Sequence, residues 1–163
     1  MNIPHLGHYL WAARVVREGI AVINSPRGTW NSCFCRPEEN VLQDEMIAID
    51  TTAMPWEERY MAAAGKSNFR KLLLQDPDTG MEIRLVRYPA GFKTPWHTHP
   101  CGHGIYVLEG TLVTHQGSHG PGAFVWFPEG MLMEHGATAE SDVVVLFITN
   151  KKFEIHFVDQ GVV

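Results

Sequence analysis

Short apolar stretches recur along the chain from residue 46 onward, and glycine or proline separates most of them. Stretches of this length, several with apolar and polar residues in alternation, are typical of β-strands. We therefore predict strands over residues 46–50, 69–75, 81–88, 104–109, 111–115, 123–127, 133–137, 143–148 and 154–158. Many short strands with glycine and proline turns and almost no helix predict an all-β sandwich or barrel.

The clearest pair of predicted strands flanks residues 76–80, which read Asp-Pro-Asp-Thr-Gly. These residue types favour turns, so residues 69–75 and 81–88 are predicted to form a hairpin. In the second strand, apolar side chains alternate with other residues, which is the pattern of a half-buried strand. The pattern predicts that one face carries Met81, Ile83 and Leu85 and the other carries Glu82, Arg84 and Val86.

Helical signals are few and weak. Residues 55–60 begin with proline and carry two acidic residues near their start, which predicts one or two helical turns. Residues 8–23 carry an imperfect apolar stripe that predicts a helix, and residues 24–28 break it. We therefore divide the chain into a partly helical N-terminal extension of unclear role, residues 1–45, and a barrel domain, residues 46–163.

Composition narrows the range of partners and compartments. The chain has 163 residues, 45% of them hydrophobic and 19% charged, which is typical of a single globular domain. Its net charge of −5 disfavours nucleic acid as a partner. The longest apolar run, residues 143–148, is too short to span a membrane, and no secretion signal is recognisable. With three cysteines, an odd number, we expect a cytoplasmic protein without a disulfide framework.

Histidines are the informative residues, because six of the nine lie between residues 97 and 135. On a strand, His97 and His99 point to the same face. His103 follows four residues later, and His135 comes from a later predicted strand. Neutral imidazole is a common ligand for divalent transition metals, so these four histidines are candidate metal ligands. The alternative for a His-x-His pair is an exposed strand edge or a hydrogen-bonded core pair.

Two sequence blocks surround these histidines and carry a family resemblance. They consist of Gly91, His97, His99, His103 and Gly110, and of Gly122, Pro128, Gly130 and His135. The blocks resemble the paired motifs of the cupin superfamily over roughly residues 50–158. The resemblance implies a single double-stranded β-helix, or jelly-roll, barrel whose metal is held by His97, His99 and His135. His103 stands where the family usually has glutamate. It is predicted either to be a fourth ligand or to polarise the substrate as a catalytic residue.

The resemblance also implies an activity. Three-histidine cupins include iron-dependent dioxygenases that act on acetylacetone and on hydroxyacetophenones. We therefore expect one divalent transition metal per chain, with Fe(II) favoured over Zn, Mn or Ni, and a small chelating carbonyl or phenolic substrate that reacts with O2. Many such barrels form homodimers through an edge strand, so a homodimer is expected here.

Two alternatives stay open. The chain also resembles the cupin lobe of certain anti-sigma factors, which implies a non-catalytic zinc-binding module for sensing or regulation. A metal-assisted isomerase or hydrolase is the third possibility. Those anti-sigma factors carry a separate zinc-binding helical domain, but its ligand spacing does not fit the candidates here, which are His5, His8, Cys33 and Cys35.

Several further residues are expected to have no direct chemical role. Cys101 is predicted to be buried, although a soft metal ligand or a redox-sensitive thiol is the alternative. Glu134 precedes His135, so strand alternation points it away from the metal. By the same rule, Ile105 and Val107 share the face of His103. We expect four other polar residues at the surface: Glu109, His115, His119 and His156.

Overall fold

A computed structural model of the protein describes residues 46–158. In this part of the chain nearly every regular element is a β-strand, with one 3₁₀ turn at Ala62–Ala64. The strands in chain order are β1 (Glu57–Met61), β2 (Lys66–Gln75), β3 (Glu82–Tyr88), β4 (Lys93–Thr98), β5 (His103–Glu109), β6 (Leu112–Thr114), β7 (Gly117–His119), β8 (Phe124–Phe127), β9 (Met133–Ala137), β10 (Val143–Thr149) and β11 (His156–Phe157).

The strands form two antiparallel sheets. One has six strands in the order β1-β2-β3-β10-β5-β8, and the other has five in the order β11-β4-β9-β6-β7. From β3 to β11 the chain passes repeatedly from one sheet to the other, and only β6 and β7 are consecutive strands of the same sheet. This winding is a double-stranded β-helix, so the predicted all-β jelly-roll barrel is confirmed.

The core lies between the two sheets and follows from alternation along the strands. In β10 every second side chain is buried, beginning with Val143, and in β5 Ile105 and Val107 are buried on the same face as His103. The prediction that these two residues share the face of His103 is therefore confirmed. The apolar cluster at the centre consists of Val86, Tyr88, Phe92, Ile105, Val107, Leu112, Phe127, Met133, Val143, Val145 and Phe147.

The predicted hairpin at residues 69–75 and 81–88 is confirmed, because β2 and β3 pair antiparallel up to Gln75 and Glu82. The two faces alternate as predicted, and the face of Arg84 is the one that points into the barrel. Arg84, Val86 and Tyr88 are the buried side chains of β3, whereas Ile83 and Leu85 are only half-buried on the other face. Both faces of this strand carry apolar side chains, so alternation alone does not decide which one points into the barrel.

Two local predictions were wrong. Residues 46–50 form no strand, and the Asp50 carboxylate instead accepts bonds from the backbone N–H and hydroxyl of Thr52. Residues 57–60 are part of β1 rather than a helical turn, because they pair with β2, where Arg70 binds the Glu57 carboxylate. Pairing with a neighbouring strand overrides weak local preferences.

The predicted N-terminal extension, with its helix at residues 8–23, lies outside the described residues, as do the candidate ligands between His5 and Cys35. The division into an extension and a barrel therefore stays a prediction. Between residues 46 and 158, no helix has the length and apolar character needed to cross a membrane.

One close approach in the barrel makes a testable stability prediction. Gly110 has a φ of +73°, and a Cβ added there would lie 2.1 Å from the carbonyl oxygen of Asp142. We expect Gly110→Ala to lower the free energy of unfolding by about 3 kcal/mol, because the backbone where the neighbouring strand β10 begins must move. Gly120→Ala is the control, since no atom lies within 4 Å of its added Cβ. Urea unfolding of both variants measures the effect, and equal stability would contradict it.

Candidate metal centre

The four histidines come from adjacent strands of the barrel. His97 lies on β4 and His135 on its neighbour β9, where the two strands pair in one sheet. His99 follows β4 directly, and His103 begins β5 in the opposite sheet. Their exposed fractions are 0%, 3%, 2% and 0% in that order, so all four rings are removed from bulk water.

Three of the four histidines converge on one point. Ring nitrogens of His97, His99 and His135, one from each residue, all lie within 4.8 Å of one another. The ring centre of His97 lies 4.7 Å from that of His99 and 5.2 Å from that of His135. The structure thus brings together the three residues that the cupin resemblance implies as ligands, and this group could hold one metal ion.

Backbone carbonyls set the tautomers of two of these rings. His97 Nδ1 lies 2.6 Å from the carbonyl oxygen of Pro95, and His99 Nδ1 lies 2.5 Å from that of Glu154. A carbonyl can only accept, so each Nδ1 carries the proton. The lone pair of each Nε2 is then free, which is the arrangement that metal-binding histidines commonly have.

The free ring nitrogens make no hydrogen bond to any of the described residues. Nε2 of His97 and His99, and both ring nitrogens of His135, are buried without a hydrogen-bond partner. Leaving a buried polar atom unpaired costs about 1–3 kcal/mol, so three such rings in contact need an explanation. A divalent transition metal bound between the rings would pair these atoms, since imidazole nitrogen suits Zn, Cu, Fe and Ni.

The rings are also neutral at physiological pH, as metal binding requires. Burial lowers the pKa of His97, and it lowers the pKa of His99 to about 4. Burial lowers the pKa of His135 well below its ordinary value, and repulsion from a protonated His97 adds to the shift. Protons therefore do not compete for these lone pairs near pH 7.

His103 has a different environment. Its ring stacks between Phe127 and Phe147, with ring centres 4.9 Å and 4.8 Å away, and stands at right angles to His99. Burial first, and then repulsion from a charged His99, lowers its pKa to about 3. Both of its nitrogens lack a partner, but the converging group does not include it. Its predicted role as a fourth ligand or catalytic residue stays a prediction.

A substitution distinguishes between two roles for His103, as a direct metal ligand or as a residue that supports the three ligands. We expect His103→Ala to retain one metal ion per chain and to bind it about 10–100-fold more weakly, the effect typical of a residue that supports the ligands. Competition with a chelator of known affinity measures this change. Complete loss of metal from the folded variant would instead make His103 a ligand.

The centre opens into a cavity of about 700 Å³ between the sheets, the size of a small-molecule site. His97, His99 and His135 form part of its wall, whereas His103 does not line it. The rest of the wall combines apolar and aromatic side chains with charged ones, chiefly Arg59, Arg70, Glu82, Arg84, Val86, Tyr88, Phe147, Phe153 and Phe157.

Other predicted residues lie away from the centre. Glu134 points outward to an ion pair with Lys93 at 2.6 Å, and Glu109 is exposed, both as expected. His156 is exposed on β11, also as expected, whereas His115 and His119 are half-buried rather than fully exposed. Cys101 is fully buried with a free thiol, and burial raises its pKa, which makes it less reactive.

Sequence reasoning did not single out Arg84, which the structure places in the wall of this cavity. The alternation of β3 was predicted without deciding which face points inward, and Arg84 lies in the cavity wall with the three histidines. A signal was present in the sequence, because Val86 and Tyr88 share the parity of Arg84 and belong to the apolar core.

A jelly-roll barrel whose inner wall carries three converging, neutral histidines defines a cupin with a candidate metal centre. The sequence model of the ChrR cupin-like domain matches residues 44–154 of this chain. The chain therefore belongs to the family of ChrR cupin-like domains. A comparison with curated proteins finds no significant match.

Solved structures with the same fold include proteins of different activities. An RmlC-like cupin protein from Ralstonia eutropha is 22% identical, with a TM-score of 0.61 over 71% of this chain and 74% of that one. The polyketide cyclase RemF from Streptomyces resistomycificus is 22% identical, with a TM-score of 0.56 over 70% and 86%. A Nostoc punctiforme protein provisionally described as a dioxygenase is 18% identical, with a TM-score of 0.53 over 58% and 34%. At such identities the similarity shows the fold alone.

Proposed function

We propose that the protein is a non-haem Fe(II)-dependent dioxygenase that acts on a small chelating carbonyl or phenolic compound. The observation that carries this proposal is the placement of three neutral imidazoles, with free lone pairs, in the wall of a cavity of about 700 Å³. A structural metal site is closed by its protein ligands, whereas a catalytic site keeps positions open toward its substrate.

The roles of the chain's own residues follow from this placement. His97, His99 and His135 would hold the metal from one side, and the hydrogen bonds to Pro95 and Glu154 keep two of these rings in the binding tautomer. When bound, Fe(II) would supply Lewis acidity and a template for the substrate and O2. Phe147, Phe153 and Phe157 would keep water away from the reacting groups.

The test begins with metal analysis of protein purified without a histidine tag. The protein is then loaded with Fe(II) under nitrogen, and oxygen uptake is followed with a panel of β-dicarbonyl and hydroxyacetophenone compounds. Uptake above that of the metal-free protein supports the proposal. Full zinc occupancy, with no uptake for any compound after iron loading, would overturn it in favour of the non-catalytic zinc module.

We further propose a homodimer. The edge strand β8 exposes Phe124 and Trp126, 58% and 50% accessible, on the outer face of the six-stranded sheet. Neighbouring β5 adds Tyr106 and Leu108 on the same face, so a second copy that covers this edge would bury a row of large apolar groups. Light scattering of wild type and Trp126→Glu measures the oligomeric state, and a monomeric wild type would contradict the proposal.

A further inference from the structure

Arg84 is a buried cation in the wall of the cavity that contains the candidate metal centre. Arg84 is only 7% exposed, and it lines the cavity together with His97, His99 and His135. The guanidinium carbon lies 4.0 Å from the centre of the Phe153 ring, and the same ring centre lies 4.6 Å from that of His99. The Phe153 ring therefore lies beside both the guanidinium and a histidine of the candidate metal centre.

The Phe147 ring also lies over this cation, 4.5 Å from the guanidinium carbon, but the hydrogen-bond partners of the cation are few. Arg84 Nη1 binds Glu82 Oε2 at 2.8 Å, and Nε is buried without a hydrogen-bond partner. The Glu82 carboxylate is shared, because Gln75 Nε2 donates to its other oxygen at 3.4 Å. A guanidinium has five N–H donors, and a buried one is stabilised when anionic acceptors occupy them. Arg84 thus retains donor capacity toward the cavity.

The charge of the wall favours an anion. Arg59 and Arg70 also line the cavity, and both bind the same carboxylate, that of Glu57, at 3.0 Å and 2.9 Å. The wall thus carries three guanidinium groups against only two paired carboxylates, those of Glu57 and Glu82, while the histidines are neutral. A divalent metal held by neutral imidazoles adds its full charge to this excess.

We propose that Arg84 binds a carboxylate group of the substrate while the substrate's chelating oxygens face His97, His99 and His135. The substrate class is therefore a β-dicarbonyl or phenolic compound that also carries a carboxylate. A guanidinium fits a carboxylate because its planar donors match the two oxygens. This inference rests on the proposed function, since it places the chelating end of the substrate at the three histidines.

A matched pair of probes tests the inference by binding rather than by turnover. Acetylacetone and acetopyruvate are both β-diketones, and acetopyruvate carries a carboxylate in place of one methyl group. Calorimetric titration of the nickel-loaded full-length protein measures the affinity for each. We expect acetopyruvate to bind wild type about tenfold or more tightly than acetylacetone, as one charge-assisted contact allows. Arg84→Met should remove this preference and change the affinity for acetylacetone less than about twofold.

The chain offers a matched control on the same strand. Arg87 lies on the opposite face of the sheet, where its guanidinium carbon is 4.4 Å from the ring centre of Phe69, and it does not line the cavity. Arg87→Met should keep the preference for acetopyruvate. Should Arg84→Met fail to fold by circular dichroism, Glu82→Gln replaces it, because removal of the competing carboxylate should tighten acetopyruvate binding.

The outcomes distinguish this inference from the proposed function. Equal binding of both probes to wild type, or a preference that persists in Arg84→Met, overturns the role of Arg84 and leaves the chelating site intact. An unchanged or weaker affinity for acetopyruvate in Glu82→Gln does the same. Failure of both probes to bind nickel-loaded wild type contradicts the proposed function itself.

Discussion

His97→Ala is expected to lower the metal content of the protein from one ion per chain to near zero. His97 is the ring that neighbours both other members of the group, at ring-centre distances of 4.7 Å and 5.2 Å. Its loss leaves only two neutral ligands, which hold a divalent ion weakly. Elemental analysis of untagged protein after metal loading and desalting measures the change.

The same substitution should abolish stabilisation by metal. A ligand that binds only the folded state at 1,000 times its Kd raises the free energy of unfolding by about 4 kcal/mol. Added metal should therefore shift the melting temperature of wild type and leave that of His97→Ala unchanged. His119→Ala is the control, because His119 lies on β7, 3.4 Å from the Thr114 hydroxyl and outside the cavity wall. One tightly bound ion per chain in His97→Ala would refute the assigned centre.

The metal-free protein should lose stability as the pH falls from about 6.5 to 5. In the unfolded chain the histidines bind protons below their ordinary pKa of 6.5, whereas in the folded protein the pKa of His99 is about 4 and that of His103 about 3. The unfolded state thus binds more protons, and stability present above pH 6.5 is lost on acidification. At pH 5 each of these two histidines accounts for about 2 kcal/mol.

Urea unfolding of metal-free protein at pH 7.5 and pH 5 measures this loss, in a range where most carboxylates stay ionised. His103→Phe should reduce the difference between the two pH values, because a phenyl ring can take its place between Phe127 and Phe147. His156→Gln should leave the difference unchanged, since this residue is exposed on β11. A metal-free wild type that is equally stable at both pH values would show that the buried rings are not held neutral by the fold.

The fold was predictable to the extent that local patterns carry it. The hairpin around residues 76–80 and the strand at Met133–Ala137 lie where turn residues and apolar spacing place them. The strand at Glu57–Met61 was not predictable, because its pairing with β2 and the ion pair between Glu57 and Arg70 exist only after the sheet has assembled. Short segments with weak preferences adopt the structure that their neighbours impose.

The candidate site divides in the same way. Residue spacing and the family resemblance were sufficient to select His97, His99 and His135. That His103 lies outside the converging group and stacks between two phenylalanine rings from other strands is visible only in the tertiary structure. The position of Arg84 in the cavity wall could not be predicted, because β3 carries apolar side chains on both faces and only the closure of the barrel determines which face points into the cavity.

The amino-acid sequence by itself determined a β-rich chain with a histidine pair on one strand face and a third histidine at a compatible distance along the chain. Tertiary structure alone decided that these rings share a cavity with a guanidinium, and that carbonyls of Pro95 and Glu154 set the tautomers of two of them. The physical reason is the distance along the chain over which each kind of interaction acts. Strand alternation and turn chemistry act between near neighbours, whereas burial, charge and ring orientation depend on residues that the sheets bring together from distant parts of the chain.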